Sequence, residues 1–268
     1  MNRIEAKFAT LKAENKKAFS PFITAGYPDY KTSLDILKTL ADCKVDFIEL
    51  GMPFSDPVAD GQTIEHAGTI ALRNGATLAK TMDLVREFRK YNNDIPIIWM
   101  GYYNPVYKYG IDAFFACAGD AGVDGVLLAD LPPEEAGEVI TSANQRDIDV
   151  IHLVAPQTPD ARLDIILRGA GGFIYFVSVE GITGSKEAQE DAIRNKVLKL
   201  QTKTDLPIIV GFGINTPRKA KDICEFADGA IVNLPMVRLS ARHLLNAYRS
   251  IWMITEISSQ VRMRCLRV

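Results

Sequence analysis

Short apolar runs recur along the chain, and most are followed by a turn rich in glycine, proline or aspartate and then by a longer amphipathic stretch. The runs are rich in isoleucine, valine, leucine and phenylalanine without strict alternation, which is typical of parallel strands covered on both faces. The pattern predicts eight strands: Phe19–Ala25, Val45–Leu50, Ile95–Met100, Gly125–Ala129, Val150–Val154, Gly172–Val177, Pro207–Val210 and Gly229–Val232.

The stretches between these runs have the apolar spacing of helices. An amphipathic helix is predicted within residues 1–17, and further helices at Thr32–Ala41, Leu78–Tyr91 and Asp160–Leu167, the last with Asp160 as its capping residue. Eight strands alternating with helices predict a single (β/α)8 TIM barrel over residues 1–268, with an extra N-terminal helix. An open doubly wound sheet is the alternative, because a pattern along the chain does not prove that the sheet closes.

The composition is that of a globular protein with a sizeable core. The chain has 268 residues, of which 47% are hydrophobic, and its net charge is −2. This balance argues against a nucleic-acid partner, which calls for a strongly basic face. No apolar run reaches the ~18 residues of a membrane-spanning helix, and the charged N-terminus lacks the apolar segment of a secretory signal. We therefore expect a cytoplasmic protein without membrane contact, and the cysteine spacing indicates no metal site.

Glu49 is the first candidate for chemistry, since it interrupts the apolar run Phe47–Leu50. In a (β/α)8 barrel the active site lies at the carboxyl ends of the strands. Alternation along the strand points Glu49 opposite to Ile48 and Leu50, into the barrel mouth. Desolvation there would raise its pKa toward values useful for general acid–base catalysis. The alternative is a structural carboxylate that accepts hydrogen bonds from backbone donors.

Asp60 follows eleven residues later, beyond a loop stiffened by Pro53 and Pro57. Two carboxylates at one strand end could divide the roles, one shuttling protons and one staying ionised. A plain loop or capping aspartate is the alternative for Asp60, and Asp56 is expected to be a solvated loop charge. The glycine turns Gly181–Gly184 and Gly211–Gly213 follow strands six and seven, where exposed backbone N–H groups can hold a phosphate.

Six motifs carry a family resemblance. They closely resemble the motifs of tryptophan synthase α subunits over residues 1 to about 232, and the thirteen-residue motif with both carboxylates is the most specific. The motifs are Pro21–Pro28, Glu49–Gly61, Met100–Pro105, Asp130–Glu135, Gly181–Gly184 and Gly211–Ile214.

The resemblance implies a lyase that splits indole-3-glycerol phosphate into indole and glyceraldehyde 3-phosphate. It implies that Glu49 shuttles protons, that Asp60 accepts a hydrogen bond from the indole N–H, and that Tyr175 lies beside Glu49. No metal or organic cofactor is implied for this chain. The implied substrate-binding residues are Phe22, Met100, Tyr102, Leu127, Ala129, Leu153, Thr183 and Phe212, and the implied phosphate-binding residues are Gly184 and Gly213.

The resemblance also implies a partner, a β subunit that carries pyridoxal phosphate and consumes the indole in an α2β2 complex. The loop Pro53–Asp60 and the segment around Asn104, Pro105 and Pro132 would face this partner. The segment Val179–Asp191 resembles a lid that closes over the substrate.

The chain departs from the family pattern after Val232. The family continues with a Gly-Ser pair that completes the phosphate site, whereas this chain has Asn233-Leu234-Pro235-Met236. Residues 233–268 contain six arginines, no lysine and one acidic residue. Either the phosphate site is rebuilt, with Arg238 or Asn233, or the tail is a foreign or frame-shifted segment. A subunit that only binds and activates the β subunit and a stand-alone indole-releasing lyase are the alternative functions.

Overall fold

The computed structural model describes residues 2–177, 186–211, 213–214 and 216–233. The strands, in chain order, are β1 (Ala18–Thr24), β2 (Ile48–Gly51), β3 (Ile97–Gly101), β4 (Gly125–Leu128), β5 (Asp149–Val150), β6 (His152–Val154), β7 (Ile174–Val177), β8 (Ile208–Gly211) and β9 (Gly229–Asn233).

The helices surround these strands. In chain order they are α1 (Arg3–Ala13), α2 (Tyr30–Asp42), α3 (Gln62–Arg73), α4 (Leu78–Arg89), α5 (Tyr103–Tyr109), α6 (Ile111–Ala121), a 3-10 turn (Pro133–Glu135), α7 (Gly137–Asn144), α8 (Asp160–Gly169), α9 (Lys186–Gln201) and α10 (Pro217–Cys224).

All the strand pairs are parallel, and the order across the sheet is β5-β4-β3-β2-β1-β9-β8-β7-β6. The two edge strands, β5 and β6, are separated along the chain by Ile151 alone. They are therefore two halves of one interrupted strand, and the sheet closes on itself with eight strand positions. The predicted (β/α)8 TIM barrel is confirmed, and the open doubly wound sheet is excluded.

Two apolar layers hold the barrel together. The outward-facing strand residues, such as Ile48 and Leu50, pack against the surrounding helices in one large buried cluster. The inward-facing residues, such as Phe47 and Ile98, form a second cluster inside the barrel. Burying both faces of the strands accounts for apolar runs without strict alternation.

The predicted N-terminal helix is present as α1, and it covers the amino-terminal end of the barrel. Ile4 and Leu11 belong to the apolar cluster inside the barrel. Phe8 packs on Phe47 with 4.9 Å between the ring centroids, and Arg3 donates a hydrogen bond to Asp124 at 2.8 Å. The carboxyl ends of the strands, at the opposite end of the barrel, are thus the ends that can form a site.

The predicted capping role of Asp160 is wrong. The N-cap of α8 is Pro159, and no side-chain hydrogen bond caps this helix. Asp160 lies in the first turn and forms ion pairs with Lys196 and Lys199 of α9. An acidic residue in the first turn favours a helix start through the helix dipole without acting as a cap.

Candidate active site

Glu49 points into the barrel, as alternation along β2 predicts. In the strand register it lies between Phe22 of β1 and Ile98 of β3, both in the apolar cluster inside the barrel. Its neighbours Ile48 and Leu50 face the helices. Only 1% of the Glu49 surface is exposed, so the carboxyl group has been taken out of water almost completely.

The carboxyl group of Glu49 has no hydrogen-bond partner for either oxygen among the residues that the structure describes. The alternative of a carboxylate held by backbone donors is therefore not observed. Burial, and secondarily the charge of Asp60, raise the pKa of Glu49 to about 8. The side chain is protonated at neutral pH, which equips it to donate a proton.

Asp60 lies on the loop that joins β2 to α3, and this loop is attached to the end of β3. The Met52 N–H donates to the Met100 carbonyl at 2.8 Å, and the Ala59 N–H donates to the Tyr102 hydroxyl at 3.0 Å. The N-cap of α3 is Gly61, without a side-chain hydrogen bond, so the capping alternative for Asp60 is not observed.

The electrostatics of Asp60 differ from those of Glu49. Burial raises the pKa of Asp60 to about 6, while the Tyr102 hydroxyl lowers it and the charge of Glu65 raises it. Asp60 is therefore ionised at neutral pH beside a protonated Glu49. The site thus contains a proton donor and a stable negative charge. Asp56, by contrast, is an exposed loop residue that accepts a hydrogen bond from the Ser55 hydroxyl at 2.7 Å.

Tyr175 belongs to the same barrel interior. It lies on β7 in register with Leu153 and Ile209, and only 3% of its surface is exposed. Burial holds its pKa well above the ordinary value, and the charges of Glu49 and Asp60 act in the same direction. The phenol therefore keeps its proton and can act as a hydrogen-bond donor near the two carboxyl groups.

Most of the sequence-predicted pocket residues fall into two neighbouring groups. Phe22, Met100 and Tyr102 line one narrow cavity of about 20 Å³ together with Asp60. Ala129 and Leu153 line a second cavity of about 350 Å³ that is also lined by Pro132. Leu127 is fully buried in the apolar cluster inside the barrel, and Ala129 and Leu153 pack against that cluster. The structure therefore supplies apolar walls on both sides of the barrel interior.

The structure describes only one of the two residues that the resemblance assigns to phosphate binding. Gly213 has φ +69°, a left-handed conformation that favours glycine, and its carbonyl accepts a hydrogen bond from the Lys219 ammonium at 3.2 Å. Thr183, Gly184 and Phe212 lie outside the described residues. So does the lid segment up to residue 185, whereas its later part is the first turn and a half of α9.

Sequence reasoning assigned no role to Gly51, Gly101 and Met52, and it assigned Gly211 only to a phosphate-holding turn. Gly51, Gly101 and Gly211 are each the last residue of a strand, and a β-carbon at any of them would collide with Phe22, Met52 or Tyr175, respectively. These side chains therefore rest directly on strand backbones at the barrel mouth. The available signal was a glycine at the carboxyl end of three predicted strands.

Two features are absent from the described part of the chain. No described helix is long and apolar enough to cross a membrane. The described residues also include no group of three or more histidine, cysteine or acidic side chains arranged to bind a metal ion.

Comparison with known proteins shows the family. The family model for the tryptophan synthase alpha chain matches residues 8–262. Tryptophan synthase subunit alpha from Legionella pneumophila str. Paris is 34% identical, with a TM-score of 0.88 over 96% of this chain and 99% of that chain. Tryptophan synthase from M. tuberculosis, in its aminoacrylate-bound form, is 30% identical, with a TM-score of 0.81 over 95% of this chain and 97% of that chain.

The family match extends into the basic tail. It continues past Val232, after which the chain departs from the family pattern, as far as residue 262. Both explanations of the tail, a rebuilt phosphate site and a foreign or frame-shifted segment, stay hypotheses, since residues 234–268 lie outside the described part of the structure. With its barrel, its paired carboxyl groups and a match over nearly the whole length, this chain belongs to the tryptophan synthase alpha chain family.

Proposed function

We propose that this chain cleaves indole-3-glycerol phosphate to indole and glyceraldehyde 3-phosphate, with Glu49, Asp60 and Tyr175 as its catalytic residues. The family assignment makes the chain a lyase of tryptophan biosynthesis. The observation that supports the catalytic roles is that Glu49 is buried inside the barrel without a hydrogen-bond partner among the described residues, while Asp60 is only partly buried, so that burial raises the pKa of Glu49 to about 8 and that of Asp60 to about 6.

The reaction is a reverse aldol cleavage, and its first step is protonation of the substrate. Glu49 donates its proton to carbon 3 of the indole ring, and the ring takes up positive charge that is shared with the ring nitrogen. The ionised Asp60 accepts a hydrogen bond from the indole N–H and stabilises this cation. A proton donor in an apolar site and an acceptor that stays ionised are the two groups that this step requires.

The second step breaks the carbon–carbon bond. Glu49, now a carboxylate, removes the proton from the glycerol hydroxyl next to carbon 3, and the new carbonyl forms as the bond electrons return to the indole ring. Glu49 has then lost one proton and gained one, so it is ready for the next turnover. Tyr175 keeps its proton in the same barrel interior, and its proposed role is to donate a hydrogen bond to the Glu49 carboxylate that exists in this step.

We propose further that the apolar walls hold the indole ring and that backbone N–H groups hold the phosphate. Phe22, Met100 and Leu127 are among the indole-binding residues, and Gly213 is a phosphate-binding residue. Thr183, Gly184 and Phe212 complete these two sets. This chemistry uses proton transfer by side chains, so we propose no organic cofactor for this chain and assign pyridoxal phosphate to the β partner.

A β subunit is the partner that the family implies, and we propose an α2β2 complex in the cytoplasm. The loop Pro53–Asp60 and the adjoining helix α5 expose large apolar side chains: Val58 is 83% exposed and Tyr107 is 58% exposed. Both side chains lie on or next to the segments that the family resemblance directs toward the partner, so a β subunit bound there would bury them. Direct transfer of indole has a physical benefit, because this apolar product leaks readily through membranes.

The experiment that tests the proposal is indole release from indole-3-glycerol phosphate, measured over a range of substrate concentrations with and without a saturating β subunit. We expect turnover that the β subunit increases. No indole release at high substrate from folded protein would overturn the proposed activity. Size-exclusion chromatography with the β subunit tests the complex, and turnover without any association would instead identify a stand-alone lyase.

A further inference from the structure

Tyr102 joins the end of β3 to the loop that carries Asp60. It follows directly after Gly101, the last residue of β3, and only 3% of its surface is exposed. Its ring packs against Phe54 with 5.4 Å between the ring centroids. The packing of its ring alone therefore fixes Tyr102 between the strand end and the loop.

The hydroxyl of Tyr102 holds the backbone of the loop next to Asp60. Its oxygen accepts a hydrogen bond from the Ala59 N–H at 3.0 Å. Tyr102 and Asp60 also line the same cavity, and Tyr102 lowers the pKa of the Asp60 carboxyl group. One side chain thus fixes the backbone at position 59, directly before the carboxylate at position 60.

We propose that Tyr102 is a positioning residue, which holds in place the loop that carries Asp60, so that its carboxylate can accept the indole N–H. This inference rests on the proposed function, in which Asp60 stabilises the cationic intermediate. It replaces the simpler role of Tyr102 as an apolar wall of the pocket, since the hydroxyl binds the loop next to Asp60 rather than the substrate.

The charged and titratable groups around Asp60 support this role. Glu65 of α3 raises the pKa of Asp60, and so does burial, whereas the Tyr102 hydroxyl lowers it. Glu49 and Tyr175 face it from inside the barrel, and the Asp60 charge raises the pKa of both. Tyr102 therefore favours the ionised form of Asp60 in surroundings that otherwise favour its protonation.

The test is Tyr102→Phe, which keeps the ring against Phe54 and removes the hydrogen bond to the Ala59 N–H. We expect kcat/KM to fall about 10- to 100-fold, mainly through kcat, because a misplaced Asp60 carboxylate stabilises the transition state less well. The acid limb of the pH profile should move to higher pH. A residue that only lines the pocket would show wild-type kinetics in this variant, and that result would overturn the proposal.

A double-mutant cycle with Asp60→Asn separates action through Asp60 from direct action on the substrate. We expect Tyr102→Phe to cause little further loss in the Asp60→Asn background. An equal loss in both backgrounds would contradict a positioning role. The matched control is Tyr91→Phe, which removes a hydrogen bond from an exposed tyrosine to Asp42 at 2.5 Å far from the site and should leave the kinetics unchanged.

A measurement that needs no turnover keeps this proposal separate from the proposed function. The pKa of Asp60 can be followed by the carboxyl carbon resonance in NMR titrations of the wild type and of Tyr102→Phe. We expect a higher pKa in the variant, and an unchanged pKa would overturn the proposal even if the enzyme is active. If the wild type releases no indole, the proposed function fails, and this titration still decides whether Tyr102 controls Asp60.

Discussion

The hydroxyl of Tyr175 lies against the backbone of Gly211, in the space that a β-carbon at position 211 would occupy. The contact follows from the strand register, since Tyr175 of β7 is paired with Ile209 of β8, two residues before Gly211. It fixes the phenol at the level of the barrel mouth where Glu49 and Asp60 act on its pKa. A residue without a side chain therefore determines where the proposed catalytic side chain of Tyr175 can lie.

Replacing Gly211 with alanine should displace Tyr175. We expect Gly211→Ala to lower kcat/KM by roughly 10- to 100-fold, because small misplacements of catalytic groups have effects of this size. Indole release and thermal unfolding measure the effects on activity and on stability. The matched control is Gly137→Ala in α7, where a β-carbon meets no atom within 4 Å. Wild-type kinetics for Gly211→Ala would show that Tyr175 does not need its present position.

Replacing Glu49 with glutamine should abolish turnover, because an amide cannot shuttle the proton. We expect kcat to fall by about 10²- to 10⁴-fold, the usual contribution of a general acid–base group. Binding of indole-3-glycerol phosphate, measured by calorimetry, should persist, since the side-chain volume is retained. A residual rate within tenfold of the wild type would remove Glu49 from the proton-shuttle role.

The same substitution should stabilise the fold at high pH. The folded-state pKa of Glu49 is raised from 4.5 to about 8, so between these values the folded chain binds a proton that the unfolded chain has lost. Unfolding free energy therefore falls as pH rises through this window, by at most about 3 kcal/mol at pH 7. Glu49→Gln removes this contribution, so its Tm advantage over the wild type should be small at pH 4.5 and larger at pH 8. An equal difference at both pH values would contradict the buried, protonated state.

The pH dependence of kcat/KM should show a base limb near pH 8. Above this pH Glu49 ionises and can no longer protonate the indole ring. The charge of Asp60 contributes to the pKa of Glu49. The apparent pKa of this limb is therefore a property of the two interacting carboxyl groups rather than of Glu49 alone. The acid limb from Asp60, near pH 6, overlaps the second ionisation of a substrate phosphate, at a pKa of about 6, so the base limb is the diagnostic one. A rate that stays flat from pH 7 to about pH 9.5 would exclude protonated Glu49 as the proton donor.

The buried ion cluster at the opposite end of the barrel should control stability without affecting chemistry. Asp124 is 3% exposed and accepts hydrogen bonds from Arg3 at 2.8 Å, from Arg89 at 2.6 Å and from the Ile97 N–H at 2.8 Å. Asp124→Asn leaves the Arg89 guanidinium buried beside a neutral group, so we expect a loss of about 3–5 kcal/mol.

The matched control is Asp83→Asn. Denaturant unfolding measures the loss in free energy of unfolding for each of the two variants. Asp83 pairs with Arg86 on the exposed face of α4, so its replacement should cost no more than about 1 kcal/mol. Similar losses in the two variants would show that the Asp124 cluster contributes no more than a surface pair. At temperatures where both variants remain folded, kcat/KM should be unchanged, since neither residue is at the carboxyl ends of the strands.

The amino-acid sequence by itself determined the strands, the opening helix and the direction of Glu49. These features depend on local spacing, since a buried strand needs a short apolar run and alternation assigns each side chain to one face. The sequence also supplied the family, because the thirteen-residue motif Glu49–Gly61 combines both carboxylates with the loop that joins them.

Only the tertiary structure decided the features that join residues distant along the chain. The barrel closes because β5 and β6, which follow each other along the chain, lie at opposite edges of the sheet. β5 pairs with β4, and β6 pairs with β7. The contact of Tyr175 with Gly211 and the hydrogen bond between Tyr102 and the Asp60 loop depend on which strand ends become neighbours. The ion pairs of Asp160 depend on which helices do. Spacing along the chain contains no information on such neighbours. The packing of the folded barrel therefore decides which groups meet, and through burial it decides which carboxyl group keeps its proton.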